Sequence, residues 1–155
     1  MPYFIGHINS KIDSKGRFLF PAAFKKQLAK FDNDHNFIIK KDIFEPCLVL
    51  YPHTVWQKQL DFLTKKLNPY NRQHNMFLRK FLSDVAEVNL DANNRILIPK
   101  HILSTVNITD SIVLVGMGEK IEIWNPADFE QSLLSEQEYS QLATKLLNNF
   151  NADND

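Results

Sequence analysis

The sequence predicts an α+β fold: two copies of one β-turn-β-α-β-β-α unit, paired about a pseudo-two-fold axis, with flanking helices. Three observations predict it. First, the run Ile12-Asp13-Ser14-Lys15-Gly16-Arg17-Phe18-Leu19-Phe20-Pro21 returns as Leu90-Asp91-Ala92-Asn93-Asn94-Arg95-Ile96-Leu97-Ile98-Pro99, each matched position lying 78 residues on. Second, Tyr51, Trp56 and Leu60 return as Trp124, Phe129 and Leu133 at an offset of 73. Third, 155 residues with 44% apolar content and twelve Phe supply a core for one domain or two very small ones, and exclude a mainly disordered chain. Internal repetition of this kind governs how every other segment is read.

Each copy begins with an apolar/polar alternation (Ile8, Ser10, Ile12; Val85, Glu87, Asn89), the pattern of a half-buried strand. Asp13 or Asp91 then opens a tight turn, its carboxylate placed to accept backbone N–H bonds. Gly16 supplies the positive φ that such a turn needs, and Asn94 is the best non-glycine occupant of the matching position. A second strand leaves through Phe18 to Phe20, or Ile96 to Ile98, and each copy is expected to close as a hairpin. Pro21 and Pro99 stop the ladder and start helices over Pro21 to Lys30 and Lys100 to Val106.

Asp32-Asn33-Asp34 reads as a turn. Phe37 to Ile39 and Cys47 to Tyr51 read as strands, matched later by Ile112 to Val115 and Lys120 to Trp124. Trp56, Leu60, Leu63 and Leu67 form one stripe of an amphipathic helix, broken at Asn68-Pro69. Met76, Phe77 and Phe81 mark a bridging helix that ends near Leu82. Gly116-Met117-Gly118 makes a tight hairpin turn. Asn125-Pro126 has the form of a helix cap, and Ser135 to Glu138 that of a capping box opening a last helix. Residues 151–155 are expected to fray as a tail.

The net charge of zero announces nothing, but its distribution is uneven. Residues 1–30 carry six cations against Asp13, and residues 119–155 carry eight acids against Lys120 and Lys145. A basic end and an acidic end suggest a polyanion-facing surface and an opposite solvated one. Cys47 stands alone, so no intramolecular disulfide is possible, and the five scattered histidines have no ligand spacing. No metal or other cofactor is therefore expected. No catalytic or phosphate-loop motif stands out, so an enzyme is not expected. No secretory leader or membrane span is expected either, since no apolar run approaches about 20 residues.

Arg17 and Arg95 are the leading functional candidates. A guanidinium held on a rigid turn offers a planar fork to phosphate oxygens or a guanine edge. Lys15, Asn93, Asn94 and Lys11 are candidate neighbours, with Lys25, Lys26, Lys100 and His101 in second rank. Asp13, Asp91 and Gly16 are assigned to structuring the turns, because a carboxylate facing DNA is repelled. The plainer reading is a pair of surface ion pairs worth about 0–1 kcal/mol each. Recurrence of the same pair at matched positions weighs against it.

The two Asp-x-x-x-Arg units, each followed by three apolar residues and Pro, resemble the MraZ family of bacterial transcriptional regulators over roughly residues 3–150. That family is a tandem member of the AbrB-like swapped-hairpin class. The resemblance implies a swapped-hairpin β-barrel formed as a pseudo-dimer within one chain. Residues 3–82 would be the N-terminal repeat with its bridging helices and 83–150 the C-terminal repeat. It also implies a cytoplasmic, nucleoid-associated regulator of the division and cell-wall gene cluster. Such a regulator binds double-stranded DNA at promoter repeats as a ring-like homo-oligomer. The alternative is an antitoxin-like protein-interaction module of the same class.

Overall fold

The computed structural model describes residues 4–30 and 35–154, with side chains to residue 148. Alternation makes β1 (His7–Lys11), exposed at His7, Asn9 and Lys11 and half-buried at Ile8 and Ser10. Asp13 turns the chain into β2 (Arg17–Leu19). Pro21 ends that strand and leads into α1 (Ala22–Ala29), which buries Phe24 and Leu28. β3 (Asn36–Lys41) and β4 (Leu48–Pro52) are almost wholly buried. Pro52 leads directly into α2 (His53–Lys66), which buries Val55 and Trp56. Asn71 caps α3 (Arg72–Ser83), its side chain accepting the His74 N–H at 3.2 Å.

The second copy then supplies β5 (Val85–Asn89), β6 (Arg95–Leu97), α4 (Lys100–Leu103), β7 (Ser111–Gly116) and β8 (Ile121–Trp124). Asn125 caps α5 (Pro126–Ser132), with Pro126 in its first turn. Ser135 and Glu138 bond reciprocally at 3.1 and 3.3 Å and open α6 (Glu136–Asn154). α4 is shorter than its sequence suggests. It gives way to turns in which the Thr105 hydroxyl and N–H both return to the Ile102 carbonyl. Residues 151–154, expected as a frayed tail, continue α6, and Asp155 lies outside the described residues, as does the turn expected at 32–34.

The strands of each copy do not close on each other as simple hairpins. Only a lone bridge, Ile12 to Phe18, joins the two limbs of the first turn. β1 instead pairs antiparallel with β7, Ile8 opposite Leu114, and β5 pairs with β3, Val88 opposite Phe37. Hairpins β3–β4 and β7–β8 meet through β4 and β8, giving a six-stranded antiparallel sheet in the order β1-β7-β8-β4-β3-β5. Apart from that bridge, β2 and β6 pair with each other and not with the six-stranded sheet. The reason is local: two three-residue strands, each stopped by Pro, have too few N–H groups to extend a ladder to the sheet edges. The result is an open sheet covered on one face by a two-stranded ribbon, not a continuously hydrogen-bonded barrel.

The pairing reads the same when the two sequence copies are exchanged. Phe18 faces Ile96, its own counterpart at offset 78, and Val49 faces Glu122, its counterpart at offset 73. The main core lies between the sheet and the ribbon. Phe18, Phe20, Phe24, Ile96, Ile98 and Ile102 there meet Phe37, Leu50, Leu114 and Ile123. The opposite sheet face carries α2 and α3 over Ile38, Val49 and Tyr51, and α5 over Val113 and Trp124. Cys47 is buried beside Trp124, and burial pushes its thiol far above its ordinary range, so it stays protonated and unreactive.

Candidate nucleic-acid interface

Alternation along the ribbon sends Phe18 and Ile96 into the core, where both are buried. The residues on either side must therefore point outward. Arg17 lies opposite Leu97 and Leu19 opposite Arg95, so two arginines and two leucines share one outer face. Arg17 and Arg95 are diagonal neighbours, which puts them about 7–8 Å apart at the backbone. Their side chains are 31% and 33% exposed, while Leu19 and Leu97 are 57% and 51% exposed.

Each arginine is held by its turn. Asp13 Oδ1 accepts the backbone N–H groups of Lys15 at 3.0 Å and Arg17 at 2.9 Å, and Oδ2 accepts the Arg17 Nε–H at 2.9 Å. Asp91 repeats the pattern, accepting Asn93 at 2.8 Å and Arg95 at 2.9 Å. Its other oxygen lies 3.3 Å from Arg95 Nε but off the N–H direction, so this contact is an ion pair without a hydrogen bond. These bonds favour the ionised carboxylates. The Arg17 N–H, then its guanidinium and the Lys15 N–H, hold Asp13 below its ordinary 3.8. The Arg95 N–H, then that of Asn93 and the Arg95 charge, do the same for Asp91.

The turns also lock the two copies together. Gly16 sits at φ +90° and its carbonyl accepts the Ile98 N–H at 2.8 Å. A Cβ at Gly16 would lie 2.9 Å from the Ile98 carbonyl oxygen, so glycine is required by space as well as by φ. Asn94, at φ 60°, takes the matching place, and its carbonyl accepts the Phe20 N–H at 2.8 Å.

The sequence candidates divide around this face. Lys15 is exposed at the first turn, and Asn93 is exposed at the second. The Asn94 side chain is not free: its Oδ1 accepts a hydrogen bond from Lys25 Nζ. Lys25 thus reaches from α1 to the turn of the other copy, and puts a lysine beside that turn, which has Asn93 where the first turn has Lys15. Lys26 is exposed on α1, and Lys100 and His101 on α4, the helices that follow the ribbon strands. Lys11 is placed elsewhere. It shares the outer side of β1 with His7 and Asn9, and lines a groove with Phe129 and Glu130 of α5. Leu19 and Leu97 are the face residues that the motif hides. Their signal is parity, since each stands two positions from an outward arginine.

A family model described as "MraZ protein, putative antitoxin-like" matches residues 81–151. A "Transcriptional regulator MraZ" of Bacteroides thetaiotaomicron is 40% identical over 148 residues, which cover 96% of this chain and 94% of that one. Its namesake in Bacteroides fragilis is 45% identical over 121 residues, covering 78% and 76%. One in Phocaeicola vulgatus is 36% identical over 148 residues and covers 96% of each.

Proposed function

The chain belongs to the MraZ family, and from that membership we propose that it is a non-enzymatic, sequence-specific DNA-binding regulator of transcription. Its relatives are named transcriptional regulators, which supports the broad role. The observation that carries the finer reading is the outer face of the β2–β6 ribbon. Two arginines from matched turns lie on one short two-stranded element, and the major groove admits such a ribbon. Arg17 and Arg95 offer bidentate forks to guanine edges or phosphates. Leu19 and Leu97 offer apolar contact to thymine methyl groups. Lys15 and Lys25 add phosphate contacts beside the two turns.

The exchange of β1 and β5 between copies, and the symmetric register at Phe18 and Ile96, support an AbrB-like swapped-hairpin unit. Residues 3–82 and 83–150 are its two repeats and form one pseudo-two-fold body. One small face per chain grips DNA weakly, so repeated promoter sites call for several linked copies. The helices outside the sheet support self-association. Over residues 53–83 six cations stand against Asp61, and Phe62 and Met76 are exposed. Over residues 126–148 four acids stand against Lys145, and Leu133, Tyr139, Leu142 and Leu146 are exposed. A basic apolar end and an acidic apolar end suit head-to-tail contact, which closes into a ring when the rotation allows. The gene target we infer is the division and cell-wall cluster, with the protein acting at the nucleoid.

Arg17→Ala and Arg95→Ala test the assignment. Each is expected to cost about 1–3 kcal/mol of affinity for promoter DNA in a gel shift, with circular dichroism and sedimentation unchanged. Wild-type affinity should fall steeply with salt. Unchanged affinity in both variants refutes the role of the ribbon.

A further inference from the structure

Lys40 is a cation where the fold calls for an apolar side chain. It lies on β3 between Val49 of β4 and Val85 of β5, on the same sheet face as buried Ile38. It is 6% exposed, and among the described residues it is the one buried charge. Its Nζ donates to the Lys41 carbonyl at 3.1 Å and stands 4.2 Å from the centroid of the Phe81 ring. Among the described residues no carboxylate pairs with it. An ammonium has three N–H groups, and one carbonyl and one ring compensate only part of the cost of burying it.

That side chain lines a cavity of about 420 Å³ where the end of β3 with the turn after it, the C-terminal half of α3 and the turn after α4 meet. The size is within the range of small-molecule sites, roughly 300–1,000 Å³. Its apolar wall is Ile43, Phe77 and Phe81, and its polar rim is Lys41, Asp42, Lys80, Asp84 and Thr105. Phe77 and Phe81 stack at 5.8 Å, and Phe81 stacks on Trp56 at 5.6 Å, so a fourth flat ring would extend an existing column of three. Charges around the cavity do not balance. Lys40, Lys41 and Lys80 face Asp42 and Asp84, while Lys41 Nζ is already bonded to the Asp42 and Glu45 carbonyls. Lys80 pairs loosely with Asp84 at 3.8 Å. One surplus positive charge remains, and Lys40 has N–H groups left to direct into the cavity.

We propose that this cavity is a binding site for a small aromatic carboxylate, its ring against Phe77 and Phe81 and its carboxylate on Lys40. The site lies on the far side of the sheet from the ribbon and does not depend on the reading of that ribbon. Burial, the largest influence, pushes the Lys40 ammonium below its ordinary 10.5, against the pull of Asp42 and Asp84. A bound carboxylate would oppose that push.

Phenylacetate is the probe, with acetate and benzyl alcohol as the charge-only and ring-only controls. Titration of the full chain should give a saturable rise in melting temperature and amide shifts at Phe77, Phe81 and Thr105. The controls should bind at least tenfold more weakly, and Lys40→Met should lose the response while keeping the fold. Should that variant misfold, Phe77→Ala, at a half-exposed ring, should weaken phenylacetate about tenfold and leave acetate unchanged. No saturable response in the wild type overturns the proposal, as does equal phenylacetate affinity in Lys40→Met or, failing that, in Phe77→Ala.

Discussion

Asp13 and Asp91 each hold two backbone N–H groups on one oxygen and face an arginine with the other. Both carboxyls are held below 3.8, so their sign is fixed: the ionised form is favoured in the fold. The stability they add is fully present above that ordinary value and is lost as pH falls through the lower folded value. Asp13→Asn and Asp91→Asn are therefore expected to destabilise the protein at neutral pH and to flatten the acid limb below about pH 4. Urea melts at a series of pH values would check this, and an acid limb as steep as the wild type's would disprove it. At this scale the sequence is most legible. Asp, Gly and Asn have strong local preferences, so the turns at residues 13–17 and 91–95 can be read without knowing what surrounds them. The Lys25 contact to Asn94 cannot, because it spans 69 residues.

The β2–β6 ribbon is the element on which the proposed DNA contact stands. Six residues form it, and two of them, Phe18 and Ile96, anchor it to the core at 1% and 0% exposure. Isolated two-stranded ribbons are marginal in water, so the anchors decide whether this one keeps its shape. Ile96→Ala is expected to cost about 2–5 kcal/mol, read as a shift in the urea midpoint at constant slope. A change under 1 kcal/mol would show that the ribbon holds without its anchor. The existence of these strands can be read from alternation and from the prolines that stop them. Their partners cannot. Each copy offers its two strands an obvious local mate across a tight turn, and the choice of a distant one depends on the core the whole chain buries together. The helix after Pro99 shows the same limit, since the Thr105 N–H and hydroxyl both turn back to the Ile102 carbonyl and end it early.

Across the whole molecule, charge and exposed apolar surface are sorted by copy. α2 and α3 are basic, α5 and α6 acidic, and both pairs expose large apolar residues. The helical stripe of α6 is legible from its spacing. That the stripe stays exposed among the described residues is not, because an apolar stripe looks the same whether its own chain or another covers it. In the proposed assembly, Leu142→Glu with Leu146→Glu should reduce the particle to single chains in sedimentation, with the circular dichroism spectrum kept. An unaltered particle size would exclude α6 from the contact. The exchange of β1 and β5 has a consequence for synthesis. β1 leaves the ribosome about a hundred residues before β7 exists to receive it. At roughly 5–20 residues per second that is a wait of about 5–20 s. The N-terminal half cannot finish folding as it emerges, and a product stopped at residue 82 would carry β3 without β5. Such an open strand edge invites aggregation, so nascent chains of this protein depend on reaching their end.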